Sequence, residues 1–166
     1  MAALDDFNAE PAERAAERLR ACNAAPAFAA ELLAGRPYPD ADAVVVAAER
    51  ISRALPWEQV AVALAAHPRI GDRVTGSSAE AQASRREQGS MTDAGDDVRA
   101  ALLEGNRAYE ERFGHVFLVR AAGRSPEEML AELRRRLADD DAAERAEVTE
   151  QLAQITGLRV RGLVSP

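Results

Sequence analysis

The chain has 166 residues, a formal net charge of −7 and one cysteine, Cys22. The length suits one hydrophobic core, the acidic total argues against a nucleic-acid binder, which favours a basic face, and a lone cysteine excludes a disulfide framework and fits a reducing compartment. No apolar run reaches the ~18 residues of a membrane span and no basic-then-apolar leader opens the chain, so the expected setting is the cytoplasm, away from membranes.

Hydrophobic residues make up 47% and aromatics only 4%. Much of the apolar content is alanine, the strongest helix former. A sheet would want more β-branched and aromatic residues, so the composition points to packed helices. In chain order, Asn8 reads as an N-cap and Pro11 sits in the first turn of a helix that reaches about Cys22. Pro26 opens a second helix through Phe28, Leu32 and Leu33, with Gly35 in the usual left-handed position after it. Arg36-Pro37-Tyr38-Pro39 reads as extended. Asp40 caps a third helix to about Leu55, burying Val44, Ala47, Ala48 and Ile51. Pro56 begins a fourth, with Trp57, Val60, Ala61, Leu64 and Ala65 at helical spacing, and Pro68 stops it at or before His67.

Residues 72–76 form a polar turn. Ser77 and Glu80 read as a capping box for a helix to about Gln88, and Gly89 to Asp93 breaks it. A longer helix over about 96–113 offers Val98, Leu102, Leu103, Tyr109 and Phe113 to the core. His115-Val116-Phe117-Leu118-Val119 is the one strand-like run, too short for a sheet, and reads as an extended link across the core. Ser125-Pro126-Glu127-Glu128 is a strong helix start, with Met129, Leu130, Leu133 and Leu137 behind it. Asp139-Asp140-Asp141 separates it from a last helix that buries Val148, Leu152, Ile155 and Leu158 and reaches Arg159. The expected fold is an all-α, single-domain compact bundle of about eight helices over residues 1–166.

Three places could carry chemistry. His67, one of two histidines, stands at a helix C-terminus, where the helix dipole favours the protonated ring and a general-acid role; the alternative is a structural histidine that satisfies a carbonyl. Ser84, Glu87 and Gln88 lie at i, i+3 and i+4 on one helical face, which either hydrogen-bonds a polar planar ligand or faces solvent. Arg159 continues the Leu152–Ile155 stripe, so it either snorkels to solvent, pairs with a core acid or holds an anion; Arg161 is the alternative arginine. Cys22 and His115 read as structural. Two histidines 48 positions apart and one cysteine give no zinc set, and no phosphate loop or Ser/His/Asp signature occurs.

The string His67-Pro68-Arg69-Ile70-Gly71, then Ser84-x-x-Glu87-Gln88, Asn106-x-x-Tyr109-x-x-x-Phe113-Gly114-x-x-Phe117, Gly123-Arg124-Ser125 and Ile155-x-x-Leu158-Arg159 resembles the OHCU decarboxylase family. The opening Leu4-x-x-Phe7-Asn8 fits too, so the resemblance covers nearly the whole chain, and the order and spacing of its pieces make it specific. It implies a cofactor-independent carbon–carbon lyase of urate (purine) catabolism, in the ureide pathway. That enzyme decarboxylates 2-oxo-4-hydroxy-4-carboxy-5-ureidoimidazoline (OHCU) stereoselectively to (S)-allantoin. It implies His67 and Glu87 as catalytic residues. Pro68, Ser84, Gln88, Arg159 and the backbone of Phe117, Leu118 and Val119 would bind the small ureide substrate, without metal or cofactor. A homodimer would accord with the family. A helical binding module and a hydrolase of a related ureide are the competing classes.

Overall fold

The computed structural model describes residues 3–72, 76 and 78–165. Among these the protein is all α, with nine α-helices, one 3₁₀ helix and no strand. The helices are α1 (Ala3–Ala9), α2 (Ala12–Arg20), α3 (Pro26–Ala34), α4 (Ala41–Arg53), α5 (Trp57–Ala65), α6 (Ala79–Glu87), α7 (Asp96–Phe113), α8 (Pro126–Arg136) and α9 (Asp141–Val164), with the 3₁₀ helix at Gly89–Asp93. No described helix is long and apolar enough to cross a membrane. The chain forms two compact units, one of residues up to Ala63 together with Leu152 onward, the other Leu64–Gln151.

In the first unit α2 packs on α3 and α3 on α4, burying Phe7, Leu19, Phe28, Leu32, Val44 and Ile51. The additional helix is α1, which precedes the helix start expected at Asn8. Asn8 is therefore no N-cap. It lies inside α1, and its amide makes a reciprocal pair with the Tyr38 backbone, Nδ2 donating to Tyr38 O at 2.9 Å and Oδ1 accepting from Tyr38 N at 2.8 Å. Asn8 satisfies both backbone groups of an irregular connection that otherwise has no ladder to join. Arg36 Nη1 donates to Phe7 O and Glu10 O at 2.9 and 2.7 Å, closing the carbonyl end of α1. Gly35 is not left-handed either, with φ −84°. Its lack of a side chain serves a close approach, because a Cβ there would lie 2.3 Å from Tyr38 Oη.

The second unit contains the residues of the motif string from Leu64 to Gln151. Its core holds Ile70, Met91, Leu102, Tyr109, Phe117 and Leu133, with α7 packed along α8. Gly105 permits that packing, since a Cβ there would meet Leu133 Cδ2 at 2.5 Å. The capping box on Ser77 falls outside the described residues; the cap of α6 is Ser78, which accepts from Ala81 N at 3.1 Å. The start of α8 is the box expected, with Ser125 and Glu128 bonded reciprocally, a motif that stabilises a helix by about 1 kcal/mol. Asp140 caps α9 through Ala143 N at 2.8 Å, and α9 runs on past Arg159 to Val164.

Two apolar core expectations fail on exposure: Leu103 and Leu158 are 46% and 47% exposed. Each follows a buried neighbour on its helix, Leu102 and Gly157, and lies just past the edge of the buried face.

Candidate active site

The polar cleft of the second unit starts where α5 stops. Helix α5 ends at Ala65, and His67 N closes a last turn onto Leu64 O at 3.0 Å. Pro68 cannot continue the helix, so the chain leaves it at His67. The half-buried His67 and Pro68 line a cleft of about 510 Å³ with Arg69, Asp72, Glu80, Ser84 and Val116. That volume is in the range of small-molecule sites. Ser84 is buried at 4% exposure on the inward face of α6.

The structure thus brings His67, Pro68 and Ser84 together on one cleft. Glu87 follows Ser84 by three residues on α6 and is half-buried, outside the lining set. Gln88 takes a structural bond: its Oε1 accepts from Gly71 N at 3.1 Å, so it anchors the loop that follows His67. Phe117, Leu118 and Val119 lie between helices, outside any regular element, and are buried to 1–3% exposure. Arg159 belongs to the first unit, where its Nη1 donates to Ala21 O at 3.0 Å, and Arg161 forms an exposed pair with Asp42 at 2.9 Å. Cys22 is buried and His115 is half-buried, its Nδ1 3.1 Å from Val116 O.

Several residues without an assigned role hold this arrangement. Arg69, beside His67, grips Glu110 on α7 with Nε to Oε1 at 2.6 Å and Nη2 to Oε2 at 3.1 Å, and lies 3.7 Å from Asp72. The paired carboxylates, Glu110 first through its hydrogen bond, raise the Arg69 pKa further, so this charge on the rim is permanent. Asn106 Nδ2 donates to Ile70 O at 2.8 Å. Arg136 braces the run of residues 117–119: its Nη1 donates to Leu118 O at 2.6 Å and its guanidinium lies 4.6 Å from the Phe117 ring centroid. Glu144 takes the rest of that guanidinium, with Nε at 2.9 Å, and accepts from Tyr109 Oη at 2.5 Å. Burial, then the bond to Glu144, pushes the Tyr109 phenol far above its ordinary value, so it stays a donor. Gln151 Oε1 accepts from Arg120 N at 2.9 Å at the other end of the run.

A signal for Arg136 and Glu144 exists in the sequence. Arg136 follows Met129 by seven and Leu133 by three, and Glu144 precedes Val148 by four, so each lies on a buried stripe. Asp139, Glu144 and Glu147 also bring carboxylate oxygens within 4.8 Å of one another; Arg136 pairs with Glu144 and Arg135 with Glu147.

Fold and cleft define a class: a small all-helical protein whose polar cleft is built on an imidazole at a helix end. The family profile of OHCU decarboxylase matches residues 8–161. The 2-oxo-4-hydroxy-4-carboxy-5-ureidoimidazoline decarboxylase of Amia calva is 30% identical over 143 residues, covering 84% of this chain and 81% of that protein. The chain belongs to the OHCU decarboxylase family and so to the carboxy-lyases. The fold is that of two solved structures. One, an OHCU decarboxylase crystallised in the presence of (S)-allantoin, has a TM-score of 0.76 at 23% identity over 90% of this chain and 99% of that one. The other, an (S)-allantoin synthase, has a TM-score of 0.68 at 19% identity over 97% of this chain and 54% of that longer one.

Proposed function

We propose that this protein decarboxylates OHCU to (S)-allantoin in urate catabolism, without metal or organic cofactor, using His67 as the group that exchanges a proton with the substrate. The observation that carries the reading is the meeting of His67, Pro68 and Ser84, all from the family's motifs, on one cleft of about 510 Å³.

The reaction breaks the bond between the ring carbon and its carboxylate. CO₂ leaves, and the electron pair remains on the ring, spread over the neighbouring ring nitrogens. The pair shifts into the adjacent C=N bond, whose nitrogen takes up one proton, and the hydroxyl becomes the carbonyl as it gives up its proton and the ureido-bearing carbon receives one. The substrate therefore supplies its own electron sink, and the protein must hold the departing carboxylate, stabilise the ring charge and present the proton from one side. His67 exchanges the proton, and delivery from a fixed side gives one enantiomer. Glu87 orients the imidazole, and the Ser84 hydroxyl and Pro68 shape the ring's seat. Gln88, with Oε1 committed to Gly71 N, offers its Nε2 as donor. The backbone of Phe117, Leu118 and Val119 offers amide groups to the ring. Arg159 holds the anion, a role suited to its planar, permanently charged fork.

The family match over 8–161 takes in residues of both units, which supports reading residues 1–166 as one domain. The cytoplasm as its compartment and a homodimer as its assembly complete the proposal; sedimentation velocity of the purified chain tests the dimer.

The deciding experiment generates OHCU in situ from urate and follows optical rotation and CO₂ release. Faster appearance of (S)-allantoin with stoichiometric CO₂ is expected. A rate equal to the spontaneous one with folded protein present rejects the function.

A further inference from the structure

The motif Asn106-x-x-Tyr109 takes no part in the chemistry above, yet Asn106 is buried to 2% exposure. We propose that Asn106 is a positioning residue: it fixes the orientation of the Ile70–Gly71 peptide and, through it, the placing of the His67 imidazole. The inference rests on the reading of His67 as the reacting group.

Two side-chain amides hold opposite edges of one peptide unit. Asn106 Nδ2 donates to Ile70 O at 2.8 Å, and Gln88 Oε1 accepts from Gly71 N at 3.1 Å. Those two backbone atoms belong to the same planar, rigid group. Gripping its carbonyl from α7 and its N–H from the end of α6 therefore fixes the rotation of the whole plane. Gly71 has φ +88°, a backbone state that side-chain-bearing residues seldom adopt. The clamped plane comes three residues after His67. Between them Pro68 has its φ locked by its ring, and Asp72 N closes a turn onto Arg69 O at 3.2 Å. The turn fixes the backbone on either side of the clamped plane, and the locked Pro68 ring narrows the path by which the chain leads back to His67.

The other half of the Asn106 amide separates positioning from plain stability. Its Oδ1 is buried without a hydrogen-bond partner. A buried acceptor left bare offsets most of what the single bond contributes; leucine in its place removes that acceptor but also leaves Ile70 O without its donor, so the two effects on stability oppose each other. What an amide adds there, and leucine lacks, is a directed grip on one carbonyl.

The test uses the full chain with Asn106→Leu. The protein has two histidines, so the imidazole Cε1–H region of a ¹H–¹³C spectrum carries two signals, with His115 as internal reference. The variant is expected to move or broaden the His67 signal, leave that of His115 in place and remain folded, with a melting temperature within a few degrees of the parent's. On OHCU its kcat is expected to fall about ten- to hundredfold, with KM within about twofold, the split of a misplaced reacting group. Asn106→Ala, which leaves space in place of bulk, repeats the measurement should leucine not fit. An unchanged His67 signal in a folded variant overturns the proposal, and so does loss of the fold in both variants, because the residue would then be structural. A parent protein that does not turn over OHCU removes the proposed function instead, while the two imidazole signals still judge Asn106.

Discussion

Arg136 and Glu144 form an ion pair with both side chains out of water, at 0% and 1% exposure. The guanidinium Nε reaches both carboxylate oxygens, at 2.9 and 3.2 Å, and its Nη1 holds Leu118 O. Such a pair contributes little net stability while intact, because desolvation offsets the attraction, but it is expensive to halve. Arg136→Met and Glu144→Leu are each expected to lower stability by about 3–5 kcal/mol, and the double variant to recover part of that, the Tyr109 hydroxyl and Leu118 O being still without partners. Urea denaturation of all four proteins closes the cycle. The double variant still lacks the donor to Leu118 O, so amide exchange in residues 117–119 should remain faster than in the parent. Additive losses in the double variant would mean that the two residues do not act as a pair.

The two histidines divide into a cleft residue and a packing residue. His67 lines the cleft, whereas His115 lies over the Phe113 ring at 6.2 Å and meets the Tyr109 edge at 5.5 Å. His67→Ala is expected to reduce kcat by about 10²–10⁴, the usual worth of a positioned acid–base group, with a melting temperature near that of the parent. His115→Ala is expected to cost about 1 kcal/mol of aromatic packing and to leave turnover in place. Steady-state kinetics beside thermal melts check both, and equal turnover by His67→Ala and parent would remove His67 from the mechanism.

Helix content was legible because local chemistry governs it. Ser125-Pro126-Glu127-Glu128 and Asp40 announce their helices through groups within four residues, and both caps form. The 115–119 run, expected to be a link and not a sheet, lies outside every helix and strand. Asn8 failed because its partner, Tyr38, is 30 residues away, and nothing near Asn8 distinguishes a cap from a long-range tie. Gly35 failed likewise, since the Tyr38 hydroxyl that excludes a Cβ comes from the next connection. In the site, His67, Pro68 and Ser84 stood out by type and spacing. The use of Gln88 on Gly71 N, of Asn106 on Ile70 O and of Arg136 on Leu118 O depends on tertiary placement, which periodicity does not encode.

The two arginines near the C-terminus make different predictions. Arg161 pairs with Asp42 at the surface, with side chains 48% and 79% exposed, and pairs of that kind contribute about 0–1 kcal/mol. Arg161→Ala should leave both melting temperature and kinetics close to the parent. Arg159 is half-buried and donates to Ala21 O at 3.0 Å. If it is also the anion holder, Arg159→Ala raises KM for OHCU at least about tenfold, as loss of a charged binding contact does, and Arg159→Lys restores part of it. A change in KM confined to Arg161→Ala would transfer the role to Arg161.

Glu147 provides a pH test. Burial, then a hydrogen bond with Asp139, pushes its carboxyl above the ordinary value of 4.5, and Arg135 only partly counters them. A folded state that holds a proton more tightly than the unfolded one gains stability from that group at low pH. The gain is complete below the unfolded value and is lost as pH rises through the folded one. Near neutrality Glu147 is thus a charge the fold bears at some expense. Glu147→Gln keeps the size and a hydrogen bond for Asp139 while removing the titration, and Arg135 retains Glu132 at 2.5 Å. Glu132 itself runs the opposite way: its carboxyl is held below the ordinary range, chiefly by the Arg135 hydrogen bond, so it loses its contribution as pH falls, in parent and variant alike. The melting temperature of Glu147→Gln relative to the parent should therefore increase between pH 4.5 and 7. Thermal melts in half-unit steps across that window measure the difference, and a parent that gains on the variant as pH rises would show that the Arg135 pair outweighs the burial.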